Sequence, residues 1–217
     1  MATSLPAVPT TIRDSLTTGL RGLAYWQIEV TGANRDLHSG HFGGAVANPI
    51  NVLCKLIADV IDENGRITIP HFYDDVEEVP AAEREMIAAI PFDEEAYKQG
   101  LGVEALQGEK GYSTLERNSC RPSFDVCGIW GGYTDEGAKT VIPSKAYAKV
   151  STRLVPHQQH EKISQLFIDY IKDVAPRSVK VEVTPLHGGE GYVCPITIPA
   201  YRAAEDGFTQ AFGKRPL

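Results

Sequence analysis

The sequence predicts an α+β fold, a βαββαβ sandwich in which one four-stranded antiparallel sheet carries two helices on one face and a mostly helical insertion. Two patterns in the 217 residues support this prediction. Four segments are predicted to be strands, and in two of them apolar residues alternate with period two, as in half-buried strands. In two other segments apolar residues recur at three- and four-residue steps, as in amphipathic helices. The six segments follow in the order strand, helix, strand, strand, helix, strand, which is typical of a split βαβ sandwich.

The first strand is predicted at Leu23 to Val30, where aromatic and β-branched residues alternate with others. A polar, glycine-bearing turn at 36–44 follows it. The first helix is predicted from Ile50 to Ile61, because apolar residues recur there at helical spacing and Asn64-Gly65 ends the pattern.

The segment from about 66 to 118 differs in character and is predicted to be an insertion. It begins with a short apolar run at Ile67 to Ile69, which we expect to be a strand, and continues into an acidic, alanine-rich stretch. Two short helices are expected in that stretch, separated by Pro91-Phe92. We interpret its acidity as a solvated face, and electrostatic steering of a substrate is the alternative.

The regular pattern returns after the insertion. Strands are predicted at 123–130, 146–154 and 179–183, with a helix at 163–171 between the last two. A connector at 186–198 leads into a final amphipathic helix at 199–212.

Composition excludes several classes of partner. The net charge of −7 is spread over segments of mixed sign, so neither a nucleic acid nor a membrane surface is an expected partner. The apolar runs fall short of the roughly 20 residues that a membrane span needs. No charged segment followed by an apolar one opens the chain, so we expect a cytoplasmic protein.

Three residues are candidates for a functional site, although the chain contains no complete catalytic or metal-binding motif. His38 lies in a glycine-flanked turn, where side chains point outward; such a histidine can also be merely solvated. Arg153, near the end of a strand, could bind a carboxylate through its planar guanidinium, or form a surface ion pair. Thr140, taken alone, is interpreted as an ordinary residue of a strand, because threonine favours β structure. His41 could join His38 on a metal, but two ligands are too few.

A series of short strings resembles the two-zinc metallopeptidase and amidohydrolase family that includes carnosinase-like dipeptidases, carboxypeptidase G, acetylornithine deacetylase and succinyl-diaminopimelate desuccinylase. The resemblance covers nearly the whole chain, and the strings follow in the family's order. They are Gly-Leu-Arg-Gly at 19–22, Asp-Leu-His-Ser-Gly-x-x-Gly-Gly at 36–44, Ala-Asn-Pro at 47–49, the segment 121–133, Lys-Thr-Val-Ile-Pro at 139–143, Arg-Leu-Val-Pro at 153–156, His-Gly-Gly at 187–189 and Phe-Gly-Lys-Arg-Pro at 212–216.

The resemblance implies a homodimeric hydrolase that cleaves the amide bond of dipeptides or N-acyl amino acids. A catalytic domain would bind two zinc ions, and a smaller lid domain would form the dimer. In the family, the histidine matching His38 contacts the oxygen of the scissile amide in the partner's active site, and the threonine matching Thr140 joins that contact. The arginine matching Arg153 binds the substrate carboxylate in its own subunit. The family's mechanism is attack by a zinc-bridged water with a glutamate as base.

The resemblance also predicts a domain division. Residues 1–20 would be a connector from a catalytic domain outside this chain, 21–186 the lid and dimerisation domain, and 187–217 a return segment and helix of the catalytic domain. The zinc ligands would lie outside the chain, so we expect the chain alone to be inactive and to provide no metal ligand. The alternative function is a stand-alone, non-catalytic module that dimerises and binds small carboxylates.

Overall fold

The computed structural model of the chain describes residues 15–216. The strands in this part are β1 (Gly19–Leu20), β2 (Gly22–Thr31), β3 (Leu37–His38), β4 (Ser123–Gly131), β5 (Val141–Ile142), β6 (Lys145–Leu154), β7 (Lys180–Gly189) and β8 (Tyr192–Val193). The helices are α1 (Ser39–Phe42), α2 (Pro49–Ala58), α3 (Ala81–Ala88), α4 (Glu94–Leu101), α5 (Thr114–Ser119), α6 (His160–Val174) and α7 (Pro199–Phe212).

The centre of the fold is an antiparallel sheet of four strands in the order β4-β6-β2-β7. Helix α2 packs mainly on β6 and β2, and helix α6 on β7 and β2. The predicted α+β sandwich is therefore confirmed. Two short ribbons lie outside the main sheet, one formed by β1 and β8 and the other by β3 and β5.

The core lies between the sheet and the two helices. Every second residue of β2 is buried, so the period-two pattern separates a helix-facing side from an open side. Trp26, fully buried in the middle of β2, stacks on Phe167 of α6 with ring centroids 4.4 Å apart. Such aromatic pairs contribute about 0.5–1.5 kcal/mol beyond their buried area.

The first helix is shorter than predicted. Asn48 caps its start by accepting the Ile50 backbone N–H at 2.9 Å, and the helix ends at Ala58. Val60 and Ile61 leave the helix but still pack on the core, which explains why the helical apolar pattern continued through them. The predicted strand at 67–69 is wrong, because Ile67 makes only a single bridge to Ile61. Its apolar residues are buried in the core rather than paired along a strand.

The insertion contains the two expected helices, α3 and α4, on either side of Pro91-Phe92. A third, α5, was not predicted. Ser113 and Glu116 form a capping box at its start, each side chain accepting the other's backbone N–H.

The C-terminal part extends the sheet further than predicted. Strand β7 continues to Gly189, and β8 pairs with β1 beyond the main sheet. The final helix has the predicted bounds, Pro199–Phe212. The predicted connector at 1–20 lies outside the described residues up to residue 14, and the proposed domain division stays a prediction. Among residues 15–216, no helix is long and apolar enough to cross a bilayer.

Candidate functional site

The β3–β5 ribbon brings His38 and Thr140 together from positions far apart in the sequence. His38 is paired with Val141 across the ribbon, and the Ser39 backbone N–H donates to the Thr140 carbonyl at 3.0 Å. The Thr140 hydroxyl therefore lies 3.2 Å from Nε2 of His38. Both side chains are exposed, so this pair is available to a molecule that docks on the ribbon.

The hydrogen bonds of His38 define which ring nitrogen carries the proton in the neutral imidazole. Nδ1 accepts the backbone N–H of Gly40 at 2.9 Å, so Nδ1 carries a lone pair. The proton of the neutral ring then lies on Nε2, which faces the Thr140 hydroxyl. His38 is thus arranged as an exposed N–H donor, the group that stabilises a developing oxyanion.

A carboxylate fastens the segment that carries His38 to the one that carries Thr140. Asp36 Oδ1 accepts the backbone N–H of Ser144 at 2.8 Å. This bond is the largest cause that lowers the pKa of Asp36, and the charge of Lys139 acts in the same direction. Asp36 is therefore held as a carboxylate at neutral pH.

The described residues do not fit a metal site. The rings of His38 and His41 lie with centroids 5.0 Å apart, but among residues 15–216 no group of three or more His, Cys, Asp or Glu side chains could hold an ion. A metal bound by such a protein would need ligands from elsewhere.

Arg153 lies at the other end of the sheet from His38 and Thr140. Its side chain is exposed on the face without helices, opposite Leu23 of β2 and Ser123 of β4. Lys145, eight residues earlier, starts β6 at the end nearest the ribbon, so the strand rise separates the two ends by roughly 26 Å. The structure brings two of the three candidate residues together and places the third far away.

A second guanidinium accompanies Arg153. Arg21, between β1 and β2, donates to the carbonyl oxygens of Arg117 and Arg121, both at 3.2 Å. Burial, and then the charge of Arg153, lowers the pKa of Arg21. This end of the sheet therefore combines two guanidinium charges, and the charge of Asp125 acts on the pKa of Arg21 in the opposite direction.

Arg21, Asp36 and Gly40 lie within the family strings but were not predicted to have a role in the site. Asp36 and Gly40 flank His38 by two residues on each side, a spacing at which short side chains and backbone groups commonly bond one another. That signal was present for Gly40, which bonds His38. It does not account for Asp36, whose partner Ser144 is distant in the sequence. The position of Arg21 beside Arg153 depends on strand pairing and could not be found by spacing.

Comparisons with known proteins place the chain in a family. The family model described as "Peptidase dimerisation domain" matches residues 18–179. The Cys-Gly metallodipeptidase DUG1 of Candida albicans is 35% identical over 199 residues, which cover 89% of this chain and 41% of the relative. The Beta-Ala-His dipeptidase of Homo sapiens is 32% identical over 209 residues, which cover 94% of this chain and 41% of the relative.

A solved structure shares the fold closely. The M20 family metallo-carboxypeptidase Sso-CP2 of Sulfolobus solfataricus superimposes with a TM-score of 0.83 at 29% identity, covering 94% of this chain and 46% of that one. The chain thus spans about two fifths of the length of the two dipeptidases it matches.

Proposed function

The chain belongs to the peptidase dimerisation domain family of the M20 peptidases, and from this premise we propose that it is the lid and dimerisation part of a metal-dependent dipeptidase. The proposed reaction is hydrolysis of the amide bond of a dipeptide or an N-acyl amino acid. Its relatives are metallodipeptidases and dipeptidases, which supports the class of substrate. We further propose zinc as the metal, two ions held by residues outside this chain, supplying the activated water.

The observation that carries the proposal is the separation of Arg153 from the His38–Thr140 pair. A dipeptide of two residues extends over roughly 7 Å, whereas the two ends of the sheet are roughly 26 Å apart. One substrate therefore cannot contact Arg153 and His38 of the same chain. In a two-fold dimer, Arg153 of one subunit and His38 of the other can serve one site.

The uncovered edge of the sheet supports such a dimer. Val126 and Ile129 on β4 pair with Val150 and Ala148 of β6, whose side chains are buried under the helices. Val126 and Ile129 point to the same side, yet they are 43% and 50% exposed because α2 lies over β6 and β2. An edge strand with exposed apolar side chains is a natural template for pairing with a second copy.

Each candidate residue then has a defined role. His38, as an Nε2–H donor, would stabilise the oxyanion of the partner's substrate, and Thr140 would contact the same group. Arg153, with Arg21 behind it, would bind the substrate carboxylate through paired hydrogen bonds.

The test is substitution in the full-length protein that carries this chain. His38→Ala is expected to lower kcat by about a hundredfold or more, the loss for one oxyanion donor. His71→Asn is the matched control, because it removes an exposed imidazole that bonds Asp74 in the insertion, and Asn tolerates the positive φ of 64° there. Dimerisation and metal content should be unchanged in both variants.

Mixed dimers test the cross-subunit role. His38→Ala is combined with a variant inactivated in the catalytic domain. The subunit with the intact catalytic domain then faces a partner with an intact His38, so activity should return. Full activity of His38→Ala, or mixed dimers that form without regaining activity, would refute the proposed role.

A further inference from the structure

We infer that Gly40 and Asp36 are positioning residues for His38. Gly40 determines the position and the tautomer of the imidazole ring, and Asp36 holds in place the turn that carries it. The inference rests on the proposed function of His38 as a donor to an oxyanion. Neither residue would touch the substrate. Each acts through the His38 ring.

Gly40 provides both a bond and a space. Its backbone N–H donates to Nδ1 of His38, and the imidazole lies where a side chain at position 40 would begin. A Cβ there would stand 2.7 Å from Cε1 of His38, closer than such atoms approach, and 3.0 Å from Nδ1, which is tighter than most such contacts. Gly40 has no positive φ, so the ring, and not backbone strain, is what an alanine would conflict with.

The bond from Gly40 has a chemical consequence for the opposite nitrogen. A neutral imidazole carries one proton, and an acceptor role at Nδ1 leaves that proton on Nε2. The other tautomer would present a lone pair to the substrate and repel a developing oxyanion. In the domain without substrate, the Thr140 hydroxyl accepts a hydrogen bond from Nε2–H of His38. This bond keeps the Nε2–H group oriented until the charged oxyanion, a stronger acceptor, replaces the hydroxyl.

Asp36 fixes the turn against the opposite segment. Strands β3 and β5 have only two residues each, too few for a stable ribbon without support. The backbone bonds Gly32 N–H to Ser144 O and Ser39 N–H to Thr140 O hold its two ends. The Asp36–Ser144 bond adds a charged acceptor between those two bonds, and charge-assisted bonds are about twice as strong as neutral ones.

The direct measurement is the tautomer of His38 in this chain. Nitrogen-15 NMR of labelled protein at pH 8 distinguishes a protonated from an unprotonated ring nitrogen. We expect an unprotonated Nδ1 and a protonated Nε2. A ring with the proton on Nδ1, or a rapid mixture of both tautomers, would overturn the inference without any need for a variant.

Two substitutions then test the consequence in the full-length protein. Gly40→Ala is expected to lower kcat by about ten- to a hundredfold, since a shift of about 1 Å in a reacting group has effects of that size. Its KM should stay within about twofold, because the carboxylate-binding end of the sheet is remote. Asp36→Ala should lower kcat by about tenfold, and Asp36→Asn should recover part of the loss because its amide oxygen can accept the Ser144 N–H.

The control variants carry the same types of substitution at positions away from His38. In Gly100→Ala the new methyl group in α4 meets nothing within 4 Å. In Asp62→Ala a turn carboxylate that accepts the Asn64 and Arg66 backbone N–H groups is lost far from His38. Both should keep full kcat and the unaltered His38 NMR signals.

The outcomes separate this inference from the proposed function. If His38→Ala leaves kcat unchanged, the function proposed for His38 fails. If His38→Ala lowers kcat while Gly40→Ala and Asp36→Ala behave like their controls, the function stands and the positioning roles fail. If Gly40→Ala lowers kcat but the NMR signals of His38 do not change, its effect is not exerted through the ring and the inference also fails.

Discussion

Arg121 and Glu109 form a two-point ion pair in the interior of the domain. Arg121 Nε lies 2.7 Å from Glu109 Oε2, and the Nη2 group of Arg121 lies 2.7 Å from Oε1. Only 1% of Arg121 and 7% of Glu109 is exposed, and the guanidinium also stacks over Tyr112 at 4.3 Å. Since Glu109 belongs to the insertion and Arg121 precedes β4, the pair fastens the insertion to the sheet.

Arg121→Ala is predicted to destabilise the fold strongly. It leaves the Glu109 carboxylate buried without its main partner, and breaking such a pair from one side reduces the free energy of unfolding by about 3–5 kcal/mol. Lys55→Ala is the control, because its ion pair with Asp59 is exposed and is expected to contribute about 0.5 kcal/mol or less. Urea unfolding measures both. A loss below about 1 kcal/mol for Arg121→Ala would contradict the prediction, since that is the range of an exposed pair.

Glu116 is predicted to make the stability of the domain depend on acid pH. The Arg84 guanidinium, 2.5 Å away, is the main cause that lowers the pKa of Glu116 below its ordinary value of 4.5, and the Ser113 N–H assists. A carboxylate with a lowered folded pKa adds stability at and above the unfolded pKa. That stability is lost as the pH falls from about 4.5 through the folded pKa.

Glu116→Gln should therefore lower stability at pH 7 and flatten the decline below pH 4.5. Urea midpoints measured between pH 7 and pH 3 give both quantities. Glu104→Gln, at an exposed carboxylate of the same insertion, serves as control. If the Glu116 variant and the unaltered chain lose stability in parallel with falling pH, the ion pair with Arg84 is not the cause.

The parts of the fold that the sequence predicts are those set by local periodicity. The alternation along β2 and the helical spacing around Leu53 and Phe167 each follow from which face of the element is buried. The order of the strands and helices along the chain then limits the possible topologies to a few. The contact of His38 with Thr140 could be expected only through the resemblance, because it depends on a ribbon of two-residue strands with no periodicity. The Arg121–Glu109 pair gave no signal at all, since a buried ion pair has no local pattern.

The β4 edge is predicted to be the dimer interface. A lysine at Val126 or Ile129 would place a charge in the centre of the proposed interface. The dimer Kd should then rise by about thirtyfold or more, because central apolar residues contribute about 2 kcal/mol or more. Leu186→Lys on β7, at the opposite edge and 47% exposed, is the control and should not affect association.

Sedimentation over a range of concentrations measures this association. Dimers that persist in both β4 variants, or that dissociate only in the Leu186 variant, would assign the interface to another surface. Both β4 side chains are already about half exposed, so the lysine variants are expected to remain folded. Circular dichroism checks this, so that a loss of dimers can be separated from unfolding.

Arg153 is predicted to bind the substrate carboxylate. Arg153→Ala should raise KM by about ten- to a hundredfold, the range for hydrogen bonds to charged groups. Arg153→Lys should recover only part of the loss, since an ammonium cannot form the paired bonds of a guanidinium. Lys149→Ala is the control, because Lys149 is also exposed on the open side of β6, four residues away.

Mixed dimers test whether Arg153 and His38 of one active site come from different subunits. If one site takes Arg153 from one subunit and His38 from the other, a dimer of an Arg153→Ala chain with a His38→Ala chain contains one intact site and one doubly defective site. A dimer of an unaltered chain with a chain carrying both substitutions contains two singly defective sites. The first should keep about half of the activity and the second little of it, when each mixed dimer is isolated by two different affinity tags. If each site were built from a single chain, the order would reverse, because the unaltered subunit of the second dimer would be fully active.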